Sequence, residues 1–177
     1  MIKAHFDTFA GYNAWANARL YEAAARLADA DYRRDGGAFF GSVHRTLNHL
    51  LGTDRVWFSR CAGVEAVQGP VPASLDAVLF EEFAPLRQAR EKEDAAILAY
   101  VRGLPESAYA GLIRYRRVST PIEHTQARAE AMAHWFNHQT HHRGQAHALL
   151  TQIGGLDAAP ELDLLFYTRA VAAGQAV

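Results

Sequence analysis

Nine histidines stand in this chain of 177 residues, and five of them, His134, His138, His141, His142 and His147, crowd into one short stretch. Imidazole can ligate a divalent metal, move a proton near neutral pH, or sit in a core as a hydrogen-bonded ring. Spacing helps to separate these roles. Wound as a helix at about 100° per residue, the stretch has an apolar arc of Ala131, Trp135, Ala146, Leu149 and Ile153. His142 falls near the middle of that arc and His138 to one side of it. His134 and His141 lie farther toward the flank, and His147 points away. The two core-facing residues are thus an i, i+4 pair, the spacing that aims two imidazoles at one point above a helix face. Two buried rings are costly side by side unless each polar atom finds a partner. A divalent cation satisfies both, so His138 and His142 are the expected metal ligands. The competing reading is a pair of hydrogen-bonded core histidines.

Other chemistries fit less well. Gln139 follows His138, so the general base of a HExxH site is absent. No glutamate has a histidine three residues later, which removes the di-iron bundle pattern. There is no GxSxG nucleophile elbow. The single cysteine, Cys61, allows neither an intrachain disulfide nor a CxxC site, and nothing in the spacing supports a Cys61–His dyad.

A tight site needs a third ligand, and His5, His44, His49 and His124 stand as candidates beside the acidic side chains. On a wheel of the second helix the apolar arc is Val43, Leu47, Leu50 and Trp57. His49 lies outside its centre, next to Ser42, Thr46 and Thr53, so periodicity alone does not choose among them.

The elements that must position these residues read as helices, because Ala, Leu, Arg and Glu dominate the long segments. The first is expected over residues 4–27, followed by a loop from Asp29 to Gly37. A second runs from Ser42, its N-cap, to Arg60, with Gly63 just past its end. Gly69-Pro70-Val71-Pro72 marks a connection from Cys61 to Ala73. Ser74-Leu75-Asp76 then opens a third helix that continues to Val101. A short hairpin is expected between Gly111 and His124, through Ile113, Tyr115 and Val118. The fourth long helix spans residues 125–153, and a shorter one spans residues 160–172. The fold class is all-α: four long helices with a short extra C-terminal helix and a small β-hairpin, in a single domain over residues 1–177.

Composition agrees. Half the residues are hydrophobic, enough for a core, and a charged fraction of 21% argues against wholesale disorder. A net charge of -1 offers no field for nucleic acid or an anionic membrane. The basic run Arg114-Tyr115-Arg116-Arg117 is too short to change that. The N-terminus lacks a signal peptide's apolar stretch, and no run of apolar residues suits a membrane span. A cytoplasmic protein is expected, with no nucleic-acid or membrane partner.

Three stretches resemble the DinB/YfiT-like metalloenzyme family. Tyr12-Asn13-Ala14-Trp15-Ala16-Asn17-Ala18-Arg19-Leu20 is similar to its first-helix signature, and Thr46 to Trp57, containing Asn48-His49-Leu50-Leu51-Gly52, to its second-helix motif. The run His134-Trp135-Phe136-Asn137-His138-Gln139-Thr140-His141-His142-Arg143-Gly144-Gln145 is similar to its histidine-rich motif. The resemblance implies an up-down-down-up four-helix bundle and a metal held by His49, His138 and His142. It also implies a homodimer. Some relatives are thiol-dependent transferases or isomerases, so the implied partner is a small-molecule substrate, with a low-molecular-weight thiol as one form of it. The family name implies neither DNA binding nor polymerase activity.

Three neutral imidazoles leave the ion open to a further ligand, as in a catalytic site. Zinc is the first expectation, with nickel or iron as alternatives that suit imidazole equally. The expected function is a metal-dependent transferase or hydrolase; the alternative is a non-enzymatic, metal-stabilised binding or stress-response module. Around the ligands, His134, His141, Gln145, Asn48 and Asp54 are candidates to hold the rings' other nitrogens. Asp54 falls near the second helix's apolar arc, so its carboxylate needs either an imidazole or an arginine. Asn13 and Asn17 are expected to bridge helices. Trp15, Trp57 and Trp135 are expected in the core, and Gly144 where helices approach closely.

Overall fold

A computed structural model describes residues 2–117, 120 and 122–176. Its helices are α1 (Ile2–Ala24), α2 (Asp29–Arg33), α3 (Val43–Ala62), α4 (Phe83–Gly103), α5 (Arg128–Gly154) and α6 (Leu164–Ala172). Strands β1 (Leu112–Arg116) and β2 (Glu123–Ala127) form an antiparallel pair in which Leu112 faces Ala127 and Tyr115 faces His124. The fold is all-α with a small hairpin. Val118 of the expected hairpin lies outside the described residues.

Cross-helix contacts give the chain directions. Lys3 at the start of α1 reaches carbonyls at the end of α4, and Asn17 meets Asp94, so α1 and α4 are antiparallel. Arg55 pairs with Glu93, and Tyr100 Oη donates to the Cys61 carbonyl, so α3 and α4 run parallel. Arg143 reaches Asn13 and Asn17, making α5 parallel to α1, while Gln139 bonds Leu50 and Arg128 bonds Cys61 antiparallel to α3. The order is up-down-down-up.

Two apolar clusters fill the bundle. Leu20, Leu47, Leu50, Leu86 and Leu149 belong to one, and Phe6, Phe58, Ile97, Trp135 and Phe136 to the other. Between them runs a buried polar belt. Arg90 Nη1 lies 2.7 Å from Asp54 Oδ2, and Arg90 Nη2 lies 2.8 Å from Asp94 Oδ1. Asn17 donates to Asp94, and Arg143 donates to both Asn13 and Asn17, which therefore do bridge helices. Each buried charge has an opposite charge or a polar partner, as burial in low dielectric requires.

Several boundaries differ from the sequence expectation, each for a visible reason. The third long helix begins at Phe83 rather than Ser74. Asn48 accepts from Leu79 N (2.8 Å) and Phe80 N (2.9 Å) and donates to Phe80 O (3.1 Å), which ties that segment to α3. The later start also puts Pro85 in the first turn, where a missing N–H is harmless. The segment 67–82 instead lies across α3, passing so close to Gly52 that a Cβ there would meet Pro72 at 3.3 Å.

The expected loop at 29–37 contains α2, steadied by an Arg33–Asp29 pair and by the burial of Tyr32 against His44 and Phe83. Residues 125–127 belong to β2, which delays α5 to Arg128. Asp163 caps α6, which delays its start to Leu164. Ser42 caps α3 as expected, accepting from Arg45 N, and Gly63 closes it with φ of 100°. Trp135 and Trp57 are buried, whereas Trp15 is only half-buried, packed beside Tyr167 of α6. Gly144 is exposed with open space where its Cβ would be, so it permits no close helix approach.

Candidate metal centre

Helices α3 and α5 bring His49, His138 and His142 together. One ring nitrogen from each lies within 4.8 Å of the other two. The ring centroids are 4.4 Å apart for His49–His142 and His138–His142, and 5.3 Å for His49–His138. A clasp sets the two helices at this distance: Gln139 Nε2 donates to Leu50 O (3.2 Å) and Thr53 Oγ1 (3.1 Å), and Thr53 Oγ1 donates to His49 O (2.9 Å).

Hydrogen bonds to pure acceptors fix two of the tautomers. His49 Nδ1 lies 2.7 Å from Leu75 O, so the proton sits on Nδ1 and Nε2 carries the lone pair. His142 Nδ1 lies 2.8 Å from Gln145 Oε1, which likewise leaves Nε2 as its lone-pair nitrogen. His49 Nε2 and His138 Nδ1 are buried without a hydrogen-bond partner.

Burial pushes the His49 ring down to about 4, against a partial upward pull from the Leu75 carbonyl. Burial, and then the neighbouring imidazoles, push His138 down to about 3; burial also lowers His142. All three are neutral at neutral pH, the form that ligates a metal. Orphaned ring nitrogens, neutral rings and converging donors fit a divalent cation.

The two sides of this cluster differ. Phe40, in the loop between α2 and α3, stacks on His49 with centroids 3.9 Å apart and lies 5.3 Å from His142, closing one side. On the other, a cleft of ≈ 470 Å³ opens beside His138, walled by Thr53, Trp57, Leu75, Tyr115 and His134 among others.

Of the residues expected around the ligands, Gln145 meets one directly. His134 is exposed and lies against Trp57 on the cleft wall, 5.9 Å from the His138 ring. His141 stands edge-on to His142 and approaches Gln145 Nε2 at 3.4 Å. Asn48 touches no ligand ring; it fastens residues 79–80, and so the loop that carries Leu75. Asp54 is a correction. Its carboxylate is taken by Arg90 and by the Trp135 indole N–H, within the belt rather than at the histidines.

The other third-ligand candidates lie elsewhere. His5 packs on Phe9, His44 bonds Phe80 O, and His124 stacks on Tyr115. Cys61 is buried, and burial pushes its thiol up to about 11, far from the thiolate a nucleophile requires. Sequence reasoning missed the Leu75 carbonyl, Phe40 and the Gln139 clasp. A backbone acceptor leaves no sequence signal. Gln139 could have been found as a polar residue on the arc that also carries Met132, Trp135, Phe136 and Ala146.

A parallel-and-antiparallel helical bundle with three histidines gathered on two facing helices is the class this fold and site define. Residues 1–174 match the family model described as "DinB family", and the chain belongs to that family. It is 26% identical over 167 residues to the protein named "Protein DinB" of Bacillus subtilis (strain 168), covering 89% of this chain and 92% of that one. No solved structure matches significantly. Among the described residues, no helix is long and apolar enough to cross a membrane.

Proposed function

We propose that His49, His138 and His142 hold one divalent metal ion and that the protein is a metal-dependent enzyme acting on a small molecule, by thiol-dependent S-transfer or by hydrolysis. Zinc is the default ion, with nickel or iron as alternatives. The observation that carries the reading is the pair of buried, orphaned nitrogens, His49 Nε2 and His138 Nδ1, inside a cluster of three converging imidazoles. Buried polar atoms without partners are rare in folded proteins, and one cation serves three neutral rings at once.

When bound, such an ion supplies Lewis acidity, lowering the pKa of a water or thiol that reaches it. The chain's own residues do the rest. Leu75 O and Gln145 hold the ring tautomers, Phe40 excludes water from one side, and the cleft beside His138 admits a ligand from the other. His134 is held below its ordinary value by partial desolvation against the cleft wall and then by the Arg60 charge, so it is neutral at neutral pH and can accept a proton there.

The two apolar clusters and the ion-paired belt pack the bundle through residues other than the three histidines, which favours an ion used in chemistry over one that staples the fold. The reading includes a homodimer, as the family resemblance implies, and a cytoplasmic location, as expected from the composition. Elemental analysis and chelation test it. One ion per chain is expected, and the chelated protein should keep its helical circular dichroism while losing ligand binding. Failure to bind any metal sinks the proposal. Melting on chelation would instead favour a metal-stabilised binding or stress-response module.

A further inference from the structure

The cleft beside His138 carries a feature that metal binding does not use. Its lining residues include two arginines, Arg60 and Arg117, and two histidines, but no aspartate or glutamate. Neither guanidinium pairs with a carboxylate among the described residues. By contrast, each arginine buried in the bundle core has an acidic or amide partner: Arg55 has Glu93, Arg90 has Asp54 and Asp94, and Arg143 has Asn13 and Asn17.

Arg60 is nonetheless held in place. Its guanidinium carbon lies 4.5 Å from the Trp57 ring and 4.4 Å from the Tyr115 ring. Those rings are 5.4 Å apart and inclined at 65°, so the cation sits in the corner they make. Tyr115 is fixed in turn by its hydroxyl donating to Gln126 Oε1 (3.0 Å). Arg60 Nη2 donates to Arg116 O, and among the described residues the other N–H groups of the fork have no hydrogen-bond acceptor. Burial presses against the charged form of Arg60, so an anion arriving here relieves an existing cost. The basic run at the end of β1, too short for nucleic acid, thus delivers a tyrosine and an arginine to one small cleft.

We propose that this cleft is an oxyanion subsite: a small molecule whose reactive head reaches the histidine cluster docks a carboxylate or phosphate group on Arg60 and Arg117. This rests on the metal-dependent reading above for the head group, and on the arginines alone for the tail. A pre-positioned fork in a partly desolvated wall is the setting in which arginine binds oxyanions most selectively. The neutral counterpart of such a ligand leaves both cations uncompensated, and the loss falls on affinity.

Two measurements separate the subsite from the metal. In the metal-free protein, acetate and, separately, inorganic phosphate are titrated while the arginine Nε–H resonances are followed. Arg60 is expected to shift saturably and exposed Arg26 to show no such response; the oxyanion acting at lower concentration identifies the preferred tail. An Arg60 response no larger than that of Arg26 overturns the subsite. In the zinc-loaded protein, calorimetry compares ω-mercaptocarboxylates, from mercaptoacetate to mercaptohexanoate, with neutral ω-mercaptoalcohols of the same lengths. The best-fitting acid is expected to bind about tenfold more tightly than its alcohol. Arg60→Gln should abolish that preference while zinc stoichiometry and alcohol affinity stay unchanged. If Arg60→Gln fails to fold, Arg117→Gln, at an exposed position, is expected to reduce the preference. Thiols that bind with no acid preference at any length overturn the subsite and leave the metal reading intact. A saturable Arg60 shift in a protein that binds no zinc sinks the metal reading and keeps the subsite.

Discussion

Gln145 Oε1 stands 2.8 Å from His142 Nδ1, one turn further along α5. The contact orients the ring and leaves its other nitrogen as the lone-pair donor, the role usually taken by a carboxylate or carbonyl behind a metal-binding histidine. Gln145→Ala is therefore expected to weaken zinc affinity by about 10–100-fold without changing stoichiometry. Competition against a chromophoric chelator measures this. An unchanged affinity would remove Gln145 from the site.

Acid should loosen the metal-free protein in a defined window. Folding holds His49 down to about 4 and His138 to about 3, whereas an unfolded chain titrates histidine at about 6.5. Between those values the unfolded state binds more protons, so stability falls as pH falls. The contribution is complete above about pH 6.5 and is lost progressively toward pH 3. Denaturant midpoints across that range are expected to drop for the wild type and to drop less for a His49→Gln, His138→Gln double variant. Parallel profiles for the two proteins would contradict the burial of these rings.

The belt gives a prediction that separates fold from site. Arg90→Met leaves Asp54 and Asp94 buried without their cation, a change that typically costs about 3–5 kcal/mol. Unfolding curves should register that loss, while the protein that remains folded binds metal in the wild-type ratio. Loss of metal from a fully folded Arg90 variant would instead tie Asp54 to the histidines.

Gly144 offers an opposite case. With no neighbour near its Cβ position and a helical backbone, Gly144→Ala is expected to stabilise the protein by about 0.5–1 kcal/mol. A lower melting temperature would mean that another chain packs against this face of α5.

What could be read from the sequence depended on how each helix is covered. α5 packs one face into the bundle and leaves the other to solvent, so its wheel singled out His138 and His142. Nearly every residue of α3 from Val43 to Phe58 is buried, because segment 67–82 lies over the side that the other helices leave open. A helix buried all round has no apolar arc to interpret. His49 was invisible to periodicity for that reason, and only the family resemblance named it. The same covering segment explains the misplaced start of α4: Ser74-Leu75-Asp76 has the residue types of a helix cap, but Asn48 takes up the backbone N–H groups of residues 79 and 80 that a helix would use. Asp54 was rightly seen to need a partner. Which of the two candidates it takes depends on α4, whose register the sequence left open.

The tether on His49 is a main-chain carbonyl, and the Leu75 side chain that comes with it is about half exposed and takes no part in that contact. Selection on this contact therefore acts on the path of the chain and not on the letter at position 75. Relatives could replace Leu75 freely and keep the tautomer, yet a one-residue deletion between Gly69 and Leu79 would shift the acceptor out of reach. Substitution scans would pass over this part of the site, and only changes in loop length would expose it.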